Sequence, residues 1–178
     1  MKHIWKPVVA IVAVAAILFS ASTLLAPIAQ SNAEADLQEM MCHMLPGSTT
    51  FTPEEYTGED SNITAVYKGE TGYVIQTTVY GYAGNIVMMT AVDNEGAVTG
   101  LMVQEMEETF GLGDNAMVDY TFLMQYLHTP GENAVGENID AITGATVTSN
   151  AVTKSVNSAS AFVTGADVSS SASEWGEW

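Results

Sequence analysis

Tyr73-Val74-Ile75-Gln76-Thr77-Thr78-Val79-Tyr80, then Gly81-Tyr82-Ala83-Gly84, then Asn85 to Val92: this stretch decides the fold. β-Branched and aromatic side chains fill both runs, and such residues suit a pleated, half-buried surface. The intervening glycines bracket a turn with room only for an antiparallel return. The pattern continues in both directions. Upstream, Ala65-Val66-Tyr67-Lys68 leads into the turn Gly69-Glu70-Thr71-Gly72. Downstream, Asp93-Asn94-Glu95-Gly96 is a hairpin signal before the chain returns through Ala97 to Glu105. From Ile63 to Glu105 the sequence therefore predicts an antiparallel meander.

Helical spacing flanks this block. Ala35 to Leu45 sets Leu37, Met40, Met41 and Met44 against Asp36 and Glu39, and Pro46-Gly47 stops the run. Its methionines read as packing, because soft-metal ligation needs a denser Met or His cluster. Met117 to Leu127 is expected as a short helix, apolar at Tyr120, Leu123, Met124 and Leu127, ended by Thr129-Pro130-Gly131. Near the C-terminus Val152, Val156, Ala159 and Val163 make one helical stripe, for which Ser149 or Thr148 suits the N-cap. A single strand-rich block with helices on its flanks is α+β: an antiparallel sheet with flanking helices, preceded by one N-terminal transmembrane helix.

That last element rests on Lys2 and Lys6, which precede an apolar run from Val8 to Leu25 broken only by Ser20, Ser22 and Thr23. The length is near the minimum for crossing a bilayer. Lysines on the cytoplasmic side put the rest of the chain outside, as a single-pass protein of the cell membrane with an extracytoplasmic C-terminal domain. A cleavable signal peptide is the alternative, with Ser31-Asn32-Ala33 as a small-residue cleavage site. The expected division is an anchor or signal segment over 1–33, one domain over 34–165 and a serine-rich flexible tail over 166–178.

Charge and cysteine use exclude several functions. All 21 acids lie after residue 33, where only Lys68 and Lys154 oppose them. Two lysines cannot cover a phosphate backbone, so the domain is no nucleic-acid binder. Cys42 stands alone, which excludes an intramolecular disulfide and a four-thiolate metal site, and no metal centre is expected. Cys42-His43 lacks the second cysteine of a haem attachment motif, since position 39 is Glu. His3, His43 and His128 are scattered, and no Ser or Thr has a visible base, so no catalytic residue is expected.

One short stretch carries the chemistry: Asp140-Ala141-Ile142-Thr143-Gly144-Ala145-Thr146-Val147-Thr148-Ser149. Small and hydroxyl-bearing residues form a tight turn directly before the last helix. Such a turn exposes a Thr hydroxyl, lets backbone amides approach an anion and sets a phosphate at the positive end of a helix dipole. Asp140 should repel that anion, so its place is better explained by fixing the turn or by recognition. A cap string in a non-redox binding or structural ectodomain is the competing reading.

The stretch closely resembles the Asp-x-x-(Ser/Thr)-Gly-Ala-Thr signature on which a flavin transferase esterifies FMN to the last Thr, here Thr146. From about Leu45 to Val163 the chain resembles the FMN-binding domain family. That family includes the G subunit of the Rnf ion-pumping ferredoxin:NAD oxidoreductase and the C subunit of the sodium-pumping NADH:quinone reductase. Leu45-Pro46-Gly47 with Phe51, and Tyr80-Gly81-Tyr82-Ala83-Gly84-Asn85-Ile86, are similar to family segments. Glu108-Thr109-Phe110-Gly111-Leu112-Gly113 matches the family's Glu-Thr-Pro-Gly-Leu-Gly loop, with Phe110 in place of Pro. The resemblance implies covalent FMN, a transferase for maturation and neighbouring membrane subunits of an electron-transport complex. It also implies an electron-transfer component, with turnover belonging to the complex. By the same analogy Glu108, Thr109, Gly111, Leu112 and Gly113 lie against the flavin, with Asp140, Thr143, Gly144, Ala145, Thr148 and Ser149 around the ester. A stand-alone exported flavoprotein shares these features. Read from its residues alone, Glu108 is a solvated acid, and Tyr80 and Tyr82 are either core or pocket wall.

Overall fold

Strand-forming runs and glycine turns alternate from residue 52 to 106, and the chain pairs accordingly. The computed structural model describes residues 31–166. The apolar run Val8–Leu25 and the tail from residue 167 lie outside them, so the expected anchor is not among the described residues. Within the described residues no helix is long and apolar enough to cross a membrane. The chain divides into two units between Glu39 and Met40. In the first, residues 31–39 are helical and mostly exposed. All that follows concerns the second, in which helical turns continue to residue 44.

Five strands form one antiparallel sheet in sequence order: β1 (Thr52–Glu54), β2 (Ile63–Lys68), β3 (Gly72–Tyr80), β4 (Asn85–Asp93) and β5 (Val98–Met106). Two helices come after the sheet, the short α1 (Tyr120–Met124) and the long α2 (Thr146–Thr164). The meander is as the sequence predicts. The three-residue β1 has no counterpart in the sequence reading; it pairs with β2 through Pro53 and Tyr67. Tyr73 faces Val92 and Val79 faces Ile86 across the central pair. The hairpin turns are closed by backbone bonds, Gly69 N–H to Gly72 O (2.9 Å) and Gly81 N–H to Gly84 O (2.8 Å). At the third, Asp93 Oδ1 accepts from Glu95 and Ala97 N–H, both at 2.9 Å.

Alternation along the strands gives the sheet two buried faces. Ile75 and Val79 of β3 with Ile86, Met88 and Val92 of β4 share a core with Val152, Val156 and Ala159 of α2. Val74, Met89 and Ala91 alternate to the opposite face and are fully or almost fully buried. There Met44 packs so closely that a Cβ on Gly100 would lie 2.7 Å from its carbonyl oxygen.

The buried side of α2 is rich in hydroxyls and amides, most of which are paired. Tyr126 OH and Thr153 Oγ1 are 2.8 Å apart, and burial pushes the Tyr126 phenol above its usual range. Asn157 Nδ2 donates to Asn133 O at 2.8 Å, while Asn157 Oδ1 accepts from Asn133 N–H at 3.1 Å. Ser155 bonds Thr77, and Ser160 bonds the Gly96 carbonyl. Small polar residues let the helix lie close on the sheet with most buried donors paired, while on the facing strand the Thr90 hydroxyl is buried without a hydrogen-bond partner among the described residues.

Two helix expectations are corrected. Met117 to Leu127 is not one helix: a 3-10 turn spans Gly113–Met117, and α1 follows as a separate short helix. Asp119 restarts it by accepting from Thr121 N–H (2.9 Å) and Phe122 N–H (3.1 Å). In this short helix and the turn after it, Phe122, Leu123 and Tyr126 are buried while Tyr120 and Met124 face solvent. The N-cap of α2 is Ala145, not Ser149 or Thr148, and no side chain caps it. Both hydroxyl residues fall inside the first turns and are buried. Ser149 Oγ is instead committed backward, donating to Ala145 O (2.9 Å) and accepting from Ile142 N–H (3.1 Å).

Candidate functional site

The Thr146 turn is built from its neighbours. Gly144 takes φ +79°, a left-handed conformation that L side chains rarely adopt, and reverses the chain just ahead of α2. Upstream, the backbone of Asp140 donates to Gln125 Oε1 (2.7 Å) and its carbonyl accepts from Gln125 Nε2 (3.2 Å). The turn is thus tied to the chain just beyond α1. The tie uses the main chain of Asp140 and the side chain of Gln125. Ser149 holds the turn from the other side.

This leaves Thr146 exposed as the first residue of α2. Helix geometry leaves the first amides of a helix without partners inside it. Here Ser149 N–H bonds Ala145 O (2.9 Å), and no side-chain cap or acid occupies the first turn. The positive end of a 19-residue helix therefore faces an exposed hydroxyl.

A cavity of about 530 Å³ opens at that point. Gly144, Ala145, Thr146, Val147 and Thr148 form one wall; Glu108, Thr109, Leu112 and Gly113 form another; Tyr82 closes the rim. The two motif segments, some thirty residues apart in sequence, share one space. They touch directly: a Cβ on Gly144 would lie 3.2 Å from Leu112 Cδ2. One on Gly113 would lie 2.6 Å from Thr148 Oγ1 and 3.0 Å from Glu108 Oε2. Gly113 thus lets the loop press against α2. Gly111 has φ +77° with nothing within 4 Å of its would-be Cβ, so it serves the turn rather than a close contact.

Glu108 is a partly exposed acid, as its sequence position suggests, with a structural task besides. Its Oε1 accepts from Tyr82 N–H (2.6 Å) and its Oε2 from Ala83 N–H (3.3 Å). The carboxylate pins the β3–β4 turn to the 108–113 loop. A side chain on Gly81 would collide with Glu108 Oε1 and lie 2.9 Å from Ile86 Cδ1, which is why the turn carries Gly there. A glycine-bracketed turn with free amides is the signal that could have pointed to this partner.

Asp140, Thr143, Gly111 and Ser149 do not line the cavity, and neither does Tyr80. Asp140 and Thr143 are exposed and Ser149 is buried. Val147, which sequence reasoning missed, lines it and is about half exposed. Among the described residues no cluster of His, Cys, Asp and Glu could hold a metal ion.

The volume lies in the range of cofactor pockets, and the lining combines Tyr82, Leu112, Ala145, Val147 and two glycines with three threonines and Glu108. These residues fit a flat ring system bearing a phosphate.

Comparison with known proteins agrees. Residues 81–161 match the FMN-binding domain family, a span that holds both motif loops. The chain is 38% identical over 99 residues to the G subunit of the proton-translocating ferredoxin:NAD(+) oxidoreductase complex of Clostridium ljungdahlii, covering 52% of this chain and 53% of that protein. Against the G subunit of the Na(+)-translocating ferredoxin:NAD(+) oxidoreductase complex of Acetobacterium woodii, identity is 35% over 95 residues, 48% of this chain and 46% of the relative. The G subunit of the ion-translocating oxidoreductase complex of Methanosarcina acetivorans aligns over 182 residues at 28% identity, 91% of this chain and 95% of the relative. The chain spans about half the length of the first two of these relatives.

Proposed function

We propose, from the match of residues 81–161 to the FMN-binding domain family, that the chain carries FMN as a phosphoester on Thr146 and relays electrons. It does so as the G subunit of an Rnf-type ion-translocating ferredoxin:NAD oxidoreductase, held to the membrane by Val8–Leu25 with its domain extracytoplasmic. One observation carries the reading: the exposed Thr146 hydroxyl stands at the uncapped start of α2, inside the cavity that the 108–113 loop also lines.

When bound, FMN supplies a ring that accepts and releases electrons singly or in pairs. The protein's residues do the rest. Thr146 Oγ1 would form the bond to phosphorus as the pyrophosphate of an FAD donor breaks, with AMP leaving and the hydroxyl proton passing to solvent or to the transferase. The amides at the start of α2 face the remaining phosphodiester charge, an interaction worth about 0.3–1 kcal/mol when exposed. Gly144 and Gly113 keep side chains out of the cavity. A covalent tether matters outside the cell, where a dissociated cofactor is lost by dilution.

The test is in-gel flavin fluorescence after denaturation, with the full chain produced beside a flavin transferase. Wild type gives a fluorescent band whose mass exceeds the bare chain by one FMN less one water. The band vanishes in Thr146→Ala and persists, weakened, in Thr143→Ala. A fluorescent Thr146→Ala band refutes the attachment site.

A further inference from the structure

We propose that Tyr82 and Phe110 form an aromatic clamp for the isoalloxazine ring, set in place by Glu108; the inference rests on the flavin reading above. Phe110 is 93% exposed and Tyr82 68% exposed, so neither ring supports the core. Neither belongs to the aromatic contacts of the fold, which join Tyr56 and Tyr73 to Phe162, and Phe122 to Tyr126.

Their placement follows from hydrogen bonds already described. Glu108 Oε1 receives the amide of Tyr82, and Phe110 follows Glu108 by two residues. Both rings are therefore borne on one hydrogen-bonded unit, Tyr82 on the cavity rim and Phe110, which does not itself line the cavity, between two residues that do. Thr109 and Leu112, on either side of Phe110, line the cavity, as does Tyr82 itself. The loop is braced internally, where Leu112 N–H donates to Thr109 O (3.1 Å) and to Asp114 Oδ1 (3.1 Å). At its tip Gly111 has open space around it. Phe110 thus has an anchored base and an unobstructed ring.

Flat aromatic systems gain from offset or edge contact with another ring, and an apolar face left in water gains from being covered. A flavin tethered at Thr146 presents such a face over the same cavity. The clamp is therefore a positioning device.

Iodide quenching of flavin fluorescence reads the clamp directly. The full chain, made beside a flavin transferase, is compared with Tyr82→Ser, Phe110→Ser and Phe110→Trp at matched flavin content. Uncovering a stacked ring raises the quenching constant at least about twofold in each Ser variant. In Phe110→Trp the indole, in contact with the excited ring, shortens the flavin lifetime. A wild-type quenching constant in either Ser variant, or a wild-type lifetime in the Trp variant, overturns the clamp and leaves the flavin reading standing. A wild-type chain that carries no flavin overturns both.

Discussion

Glu108 shows how much one side chain can organise when it replaces water at two amides. Removing it leaves Tyr82 and Ala83 N–H without their acceptor. Both bonds are solvent-exposed, so water replaces the lost acceptor in part and the net cost is about 0.5–1.5 kcal/mol. Glu108→Ala should therefore lower the urea midpoint by a corresponding amount. Gly81→Ala should also destabilise, because the new methyl collides with the same carboxylate. The two effects share a cause, so they must not add. Once Glu108 is gone, the methyl meets chiefly Ile86 Cδ1, at 2.9 Å. The double variant should be less destabilised than the sum of the singles by more than the roughly 0.5 kcal/mol expected of independent sites. Additive losses would separate Gly81 from the pin. The sequence does not reveal this pair because the partners stand far apart along the chain and meet only when β3, β4 and β5 pair. The Thr146 turn is legible for the opposite reason: Gly144 and the Ser149 hydroxyl act on it from within ten residues, and only the Gln125 tie comes from farther away.

At the scale of elements, Glu70 clamps the segment that follows the helical turns ending at residue 44 to the β2–β3 turn. Its Oε2 accepts from Thr49 N–H (3.0 Å) and Thr50 N–H (3.5 Å), and its Oε1 from both threonine hydroxyls. Hydrogen bonds from its own backbone amide and from that of Thr49 hold the carboxyl at about 2, against an ordinary 4.5. A depressed value means the folded state favours the charged form. The stability it contributes is present above pH 4.5 and is lost as the pH falls through about 2. The stability gap between wild type and Glu70→Gln should therefore be constant near neutrality, shrink below pH 4.5 and close near pH 2. A gap independent of pH would remove the carboxylate from the clamp. Asp119 offers a second element-scale expectation: Asp119→Ala should cost about 1 kcal/mol in thermal or urea unfolding, as loss of an N-cap does. These elements also mark the limits of periodicity. The four long strands are readable because β-branched runs stop at glycine turns. The helix around residue 120 is misread because apolar residues surround it, and spacing alone does not say that Phe122 and Tyr126, not Tyr120 and Met124, turn inward. Thr52-Pro53-Glu54 is too short and too exposed to carry any strand pattern.

For the molecule as a whole, charge is the dominant long-range quantity. Four basic residues face 21 acids, and from Glu70 to Thr153 there are eleven carboxylates with no Lys or Arg. Lys68 is already engaged, 3.6 Å from Glu54 and over the Tyr73 ring. The core holds together through apolar contacts and neutral hydroxyl and amide pairs, which salt does not weaken. Self-repulsion among the carboxylates, in contrast, is screened by salt. The Debye length falls from about 30 Å at 0.01 M to about 3 Å at 1 M. Raising sodium chloride across that range should therefore raise the melting temperature of the described domain, where a fold built on exposed ion pairs would lose stability. The same field bears on the cofactor. Reduction adds negative charge to a bound flavin, and one carboxylate some 10 Å away opposes it by about 1–2 kcal/mol at an effective dielectric near 20, before screening. Salt should accordingly shift the flavin midpoint potential upward in step with the gain in melting temperature. Glu108→Gln should reproduce part of that shift at low salt, because it removes one charge from the cavity wall and keeps one acceptor for the Tyr82–Ala83 turn. If the potential is indifferent to salt and to Glu108→Gln while the melting temperature rises, the acids govern solubility and folding but not the redox poise.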